Sequence, residues 1–138
     1  MPLSLRTALL CLIAAGWMTA CGPPPEDPAV TAYQRYNGAL RSGQSQALVE
    51  TLTAESRQAL ARQLELPPEA SAEQIGERLL IRPDWRQELV ITEKPALEPV
   101  EGSPDTQRVI VRAGDRVIHD VTLRKEGEAW KVALPEGR

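Results

Sequence analysis

The chain has 138 residues, 16 basic and 19 acidic side chains, and a formal net charge of −3 at neutral pH. That length holds one domain rather than two. The charges are interspersed and mildly acidic, which excludes a nucleic-acid partner, since phosphate-backbone binding needs a basic face. Both cysteines, Cys11 and Cys21, fall within the first 21 residues, so the rest of the chain contains no disulfide framework.

Met1 to Thr7 carries Arg6 and the amino terminus as a short positive segment, and Ala8 to Trp17 is an apolar run. Ten helical residues reach only about 15 Å, roughly half a bilayer core, so the run reads as the hydrophobic part of a signal and not as a spanning helix. Met18-Thr19-Ala20-Cys21 follows immediately and resembles the bacterial lipobox, a bulky apolar residue and two small ones before an obligatory cysteine. Met18 departs from the usual leucine. The resemblance implies cleavage before Cys21, diacylglycerol on its sulfur and an acyl chain such as palmitate on its amino group. Several chains on one residue make anchoring stable. Acylation also explains a lone thiol in an exported chain. An ordinary secretory signal and an uncleaved anchor are the competing readings.

Arg6 is the only charged residue among the first 20, so cleavage leaves 15 basic against 19 acidic side chains, a net of −4. Pro23-Pro24-Pro25-Glu26-Asp27-Pro28 reads as a stiff, extended tether. The expected organisation is a signal over 1–20, a lipid-attached tether over 21–28 and one domain over 29–135. Gly22 favours the periplasmic side of the outer membrane.

Val30, Tyr33, Tyr36/Asn37 and Leu40 recur at three-to-four spacing and predict an amphipathic helix over 28–42, ended by Gly43. Leu48 and Leu52 fall in a short second helix with Ser45 at its N-cap. Thr53 opens a further helix, with Glu55 suited to its positive end, which Leu60 and Leu64 carry to Leu66 before Pro67-Pro68. Ser71 and Gln74 form a capping box for a helix that holds Ile75, Leu79 and Leu80 and closes at Arg82-Pro83.

Thereafter the period changes from 3.6 to two. Strands are predicted at 87–93, at 106–113 with a turn at Gly114-Asp115, at 116–125 with a turn at Glu126-Gly127, and at 129–134. Pro95 and Pro99 interrupt the pattern after the first. Val117, His119, Val121 and Leu123 share one face, opposite Ile118, Asp120, Thr122 and Arg124. Helices followed by hairpin-linked strands predict an α+β domain, with N-terminal helices packed on a curved antiparallel sheet of about four strands.

The segment Ala32-Tyr33-Gln34-Arg35-Tyr36-Asn37-Gly38-Ala39-Leu40-Arg41-Ser42-Gly43, followed by Ala47, Leu48 and Leu52, resembles the first helices of the nuclear transport factor two-like superfamily. It is most similar to lipoprotein-borne members whose domains lack an assigned function. Val121 to Val132, a hairpin ending on the Trp130 strand, is similar to that family's last hairpin. Gln44 departs from the acidic residue usual after the glycine. The resemblance spans about residues 28–134 and implies a cone-shaped fold whose sheet wraps a long helix, often around a pocket. The fold implies no single activity, because it hosts enzymes, binding modules and scaffolds alike.

His119 is the sole histidine, and no Cys/His cluster, calcium loop, nucleophile motif or dinucleotide fingerprint occurs, so neither a metal nor a cofactor is expected. His119 on an apolar strand face points where a pocket would lie. There an imidazole can serve as a general base, with Tyr33 or Tyr36 as a polarising hydroxyl. The competing reading is a core histidine hydrogen-bonded to a tyrosine. Trp130 and Trp85 each either line a pocket or fill the core, core filling being favoured for Trp130, and an anchor at the crossing from helices to sheet is a further reading of Trp85.

Three functions follow. The leading one is a non-catalytic envelope module that binds a protein partner or a small ligand; the protein-binding form predicts an exposed apolar patch around Ile110 and Ile118. The second is a pocket protein with isomerase- or dehydratase-like chemistry at His119, which predicts a cavity of at least about 300 Å³ lined by His119 and a tyrosine. The third is a structural lipoprotein that only self-dimerises.

Overall fold

Asp27 opens the first helix in the computed structural model, which describes residues 24–81 and 95–135. Helix α1 (Pro28–Ser42) begins where the Asp27 carboxylate accepts from Ala29 N at 2.8 Å and Pro28 occupies the first turn. It ends at Gly43, whose φ of 69° is left-handed backbone that a Cβ would disfavour. Helix α2 (Ser45–Glu50) is shorter than its sequence predicts, and Ser45 is not its cap. Gln44 holds that position without a side-chain bond, while Ser45 Oγ donates to Leu79 O at 3.0 Å. Leu52 lies outside α2 because a strand captures its neighbours, as shown below.

Helix α3 (Ala54–Gln63) is capped by the Thr53 hydroxyl, which accepts from Ser56 N, and carries Glu55 in its first turn. It stops short of Leu66. Glu65 adopts a φ of 56°, and Leu66 N turns back to Ala61 O at 2.8 Å. That reversal packs Leu66 against the helical core instead of extending the helix. Helix α4 (Ala72–Arg78) has the Ser71–Gln74 capping box in both directions. Leu79 and Leu80 do not belong to it: Leu79 is extended and buried, and Leu80 is exposed. Gly76 lets α4 approach α2, since an added Cβ would stand 2.8 Å from the Gln46 backbone.

The sheet is an antiparallel meander, β1 (Ala96–Pro99), β2 (Thr106–Ala113), β3 (Arg116–Glu126) and β4 (Ala129–Ala133), in that spatial order. The residues between Pro95 and Pro99 read as an interruption in sequence yet form β1, which flanks β2 alone among the described strands. At the edge of the described sheet prolines are tolerated, because one side of the β1 ladder has no partner among the described residues. The strand predicted at 87–93 and the crossing at Trp85 lie outside the described residues. Gly114 and Gly127 lead the two hairpin turns with φ of 59° and 61°, the pattern of Gly-first, two-residue turns.

Val109, Val111, Leu123 and Val132 are buried on the inner face with Tyr33 of α1 and Leu52. A separate cluster around Leu40, Leu48, Val49, Ala61 and Ile75 sits among the helices. The β2–β3 register shifts at Val111/Arg112, so His119 faces Val111 whereas Val117 faces Arg112. This bulge moves Val117 off the face it was expected to share with His119, and Val117 is 49% exposed.

A parallel bridge joins Leu52 to Val132. Val132 N donates to Thr51 O at 2.8 Å, and Thr53 N donates to Val132 O at 2.9 Å. These bonds draw residues 51–53 out of α2 and onto the sheet. The fold is therefore α+β, four helices preceding a four-stranded antiparallel sheet among the described residues.

Candidate functional site

Tyr33 and His119 meet across the helix–sheet interface. α1 periodicity turns Tyr33 inward, where it is 1% exposed, and β3 brings His119 to the same face beside Val111. The Tyr33 hydroxyl lies 2.8 Å from His119 Nδ1, and the rings stand edge to face at 77°. The tyrosine O–H donates where Nδ1 carries no proton, and the hydroxyl oxygen accepts where it does. Tyr36 packs against both apolar clusters, three residues along the helix from Tyr33.

Trp130 is not part of this contact. It pairs with Lys125, six residues along β3 from His119, a separation of about 20 Å at strand rise. Its indole packs against the inner-face cluster and also lines an open groove of about 920 Å³ between α1, α2 and β4. Core and groove readings of Trp130 thus both apply. His119, Tyr33 and Tyr36 line neither this groove nor the smaller hollow of about 410 Å³ over α2. The four residues expected to line one pocket are divided between two places.

The groove has short side chains along α1, including Ala32, Gly38 and Ser42, and charged residues around them. Glu26 accepts from Gln34 Nε2 at 2.9 Å, which holds residue 26 against α1. Lys131 Nζ donates to Glu50 O at 2.6 Å and ties the end of α2 to β4. Next to it, a buried polar node fixes α3 on the sheet. Thr53 Oγ1 donates to Ser56 Oγ at 2.8 Å, and that oxygen accepts from Leu134 N at 2.9 Å. Thr53 is legible in sequence as a cap, but its partner Ser56 is not, because the role of Ser56 comes from Leu134, 78 residues away and just past β4.

Among the described residues, Ile110 and Ile118 do not form the apolar patch expected on the outer sheet face. Ile110 is buried and Ile118 is partly buried, so neither presents an open hydrophobic surface. Charged residues run across this face instead. Arg108 bonds Asp120 through two nitrogens, with Glu98 3.9 Å away, and Arg124 pairs with Glu55 at 2.9 Å. The hydrogen bond from Arg108 holds the Asp120 carboxyl below its ordinary range, outweighing the opposing effect of partial burial. The same bond raises Arg108.

Among the described residues no three His, Cys, Asp or Glu side chains converge as metal ligands, and no helix is long and apolar enough to cross a membrane. Cys21 lies outside the described residues. No family model matches the chain, and no curated protein or solved structure matches it either.

Proposed function

We propose that this chain is a bacterial envelope lipoprotein. The signal is removed before Cys21, and acyl chains on that residue hold the domain to the outer membrane on its periplasmic side. The observation that carries this reading is the ordered run of positive segment, apolar stretch, Met18-Thr19-Ala20-Cys21 and proline tether. The Asp27 cap adds support, since α1 starts where the tether stops. A tether of polyproline rise would set Cys21 about 22 Å from Pro28 over the seven steps between them, which would keep the domain close to the bilayer.

The domain is a non-catalytic binding or scaffold module of the cone-shaped, nuclear transport factor two-like kind. The cone reading is supported by a long capped helix against β2, β3 and β4, and by a last hairpin that ends on the Trp130 strand. The binding reading is supported by the placement of an open groove at Trp130, away from His119. Isomerase- or dehydratase-like chemistry would start from the Tyr33–His119 contact, which serves equally as a tie between helix and sheet. A dimerising scaffold would instead appear as a doubled mass in sizing chromatography.

Cell fractionation with Cys21→Ser tests the anchor. The expected result is loss from the membrane fraction and of palmitate labelling; unchanged membrane association would overturn it.

A further inference from the structure

β4 is the terminal strand of the meander, and part of its outer edge is already in use. Val132 turns both main-chain groups outward, to Thr51 O and Thr53 N. In an antiparallel strand these groups alternate sides, so Trp130, two residues back, turns the same way. Its partner on β3 agrees: Lys125 sends its N–H to the opposite side, to Asp105 O at 2.8 Å. Lys125 and Trp130 therefore exchange no main-chain bonds. Both polar main-chain groups of Trp130 face the outer edge, and no described residue hydrogen-bonds to them.

Beside that edge lies the groove of about 920 Å³. Its volume is near the top of the range for ligand pockets, about 300–1,000 Å³. An added Cβ at Gly38 would meet nothing within 4 Å, so α1 leaves room for an occupant's side chains. The lining holds three carboxylates and two cations, Glu26, Glu50, Glu128, Arg35 and Lys131. This mixture has no excess positive charge to select an anion. Among the described residues the main-chain groups of Trp130 have no strand partner, although Leu52 supplies one to Val132 along the same edge.

The geometry points to this groove as the docking site for a short extended peptide of low net charge from a partner protein. The peptide continues the edge that Leu52 begins, bonds the main chain of Trp130 and lays small apolar side chains on α1 near Gly38. The inference rests on the binding-module reading and gives that module a peptide ligand.

The test uses the full lipidated chain in detergent and a displayed library of short random peptides. A selected peptide should slow exchange of the Trp130 amide by about tenfold or more, as a new strand partner does. N-methylation of the peptide backbone should weaken binding by about tenfold or more, because affinity comes from main-chain bonds. Gly38→Trp should block binding, whereas Arg41→Trp, on exposed α1 surface outside the groove, should not. Failure to enrich any peptide, or binding that leaves the Trp130 amide unprotected, overturns the proposal. A partner cross-linked in cells equally by wild type and Gly38→Trp also overturns it, while sparing the binding-module reading. The N-methylated peptide acts on the wild-type chain, so the test survives a misfolded Gly38→Trp.

Discussion

Gly38 and Gly76 both occupy helix interiors, where glycine costs about 1 kcal/mol relative to alanine. Their surroundings set opposite outcomes for the same added methyl. At Gly38 the new Cβ meets open space, so Gly38→Ala should stabilise the chain by about 0.5–1 kcal/mol in urea unfolding. At Gly76 the Cβ would press on the Gln46 backbone, which cannot swing aside as a side chain does. Gly76→Ala should therefore destabilise by about 1–3 kcal/mol, the usual cost of overpacking. Asp120 makes a pH-dependent contribution of known sign. Its carboxyl is lowered in the folded state, so the contact with Arg108 stabilises above the ordinary carboxylate titration, near about pH 4, and fades as pH falls through the lowered value. Asp120→Asn should flatten the urea midpoint below about pH 4. The change will be small because both partners are about two-fifths exposed.

At the scale of elements, the Tyr33–His119 contact ties α1 to β3. A double-mutant cycle of Tyr33→Phe and His119→Phe should give a coupling of about 0.5–1.5 kcal/mol in unfolding free energy; zero coupling would mean that the tie is absent. Which elements the sequence announces follows from where their determinants lie. The end of α1 is legible because Gly43 acts within one turn of the chain, whereas Asp27 reads as tether in sequence and proves to be the N-cap. The Ser71–Gln74 capping box is legible for the same reason. Leu52 is misread because its partner, Val132, lies 80 positions on, and a backbone pair leaves no mark in side-chain periodicity. The end of α3 is misread because Glu65 adopts a left-handed conformation usually marked by glycine. Val117 changes face through a bulge that strict alternation cannot anticipate.

For the whole molecule, sequence and structure inform different parts of the account. Helices followed by an antiparallel sheet are legible because the hydrophobic period changes between the two halves of the chain. The groove is not legible: it arises where α1, α2 and the edge of β4 leave space, and of its lining residues the sequence marks only Trp130 as a candidate pocket residue. His119 attracts a chemical reading as the sole histidine, yet its position and that of Trp130 define two separate places. Glu26 and Pro28 line the groove, so the proposed lipid on Cys21 would hold the groove near the bilayer. Everything in this arrangement depends on Cys21 as the mature amino terminus. Mass spectrometry of the amino-terminal peptide from protein extracted from membranes tests that claim most directly. The mature chain should begin at Cys21 and carry diacylglycerol on its sulfur and an acylated amino group. A chain that begins elsewhere, or an unmodified Cys21, would contradict it.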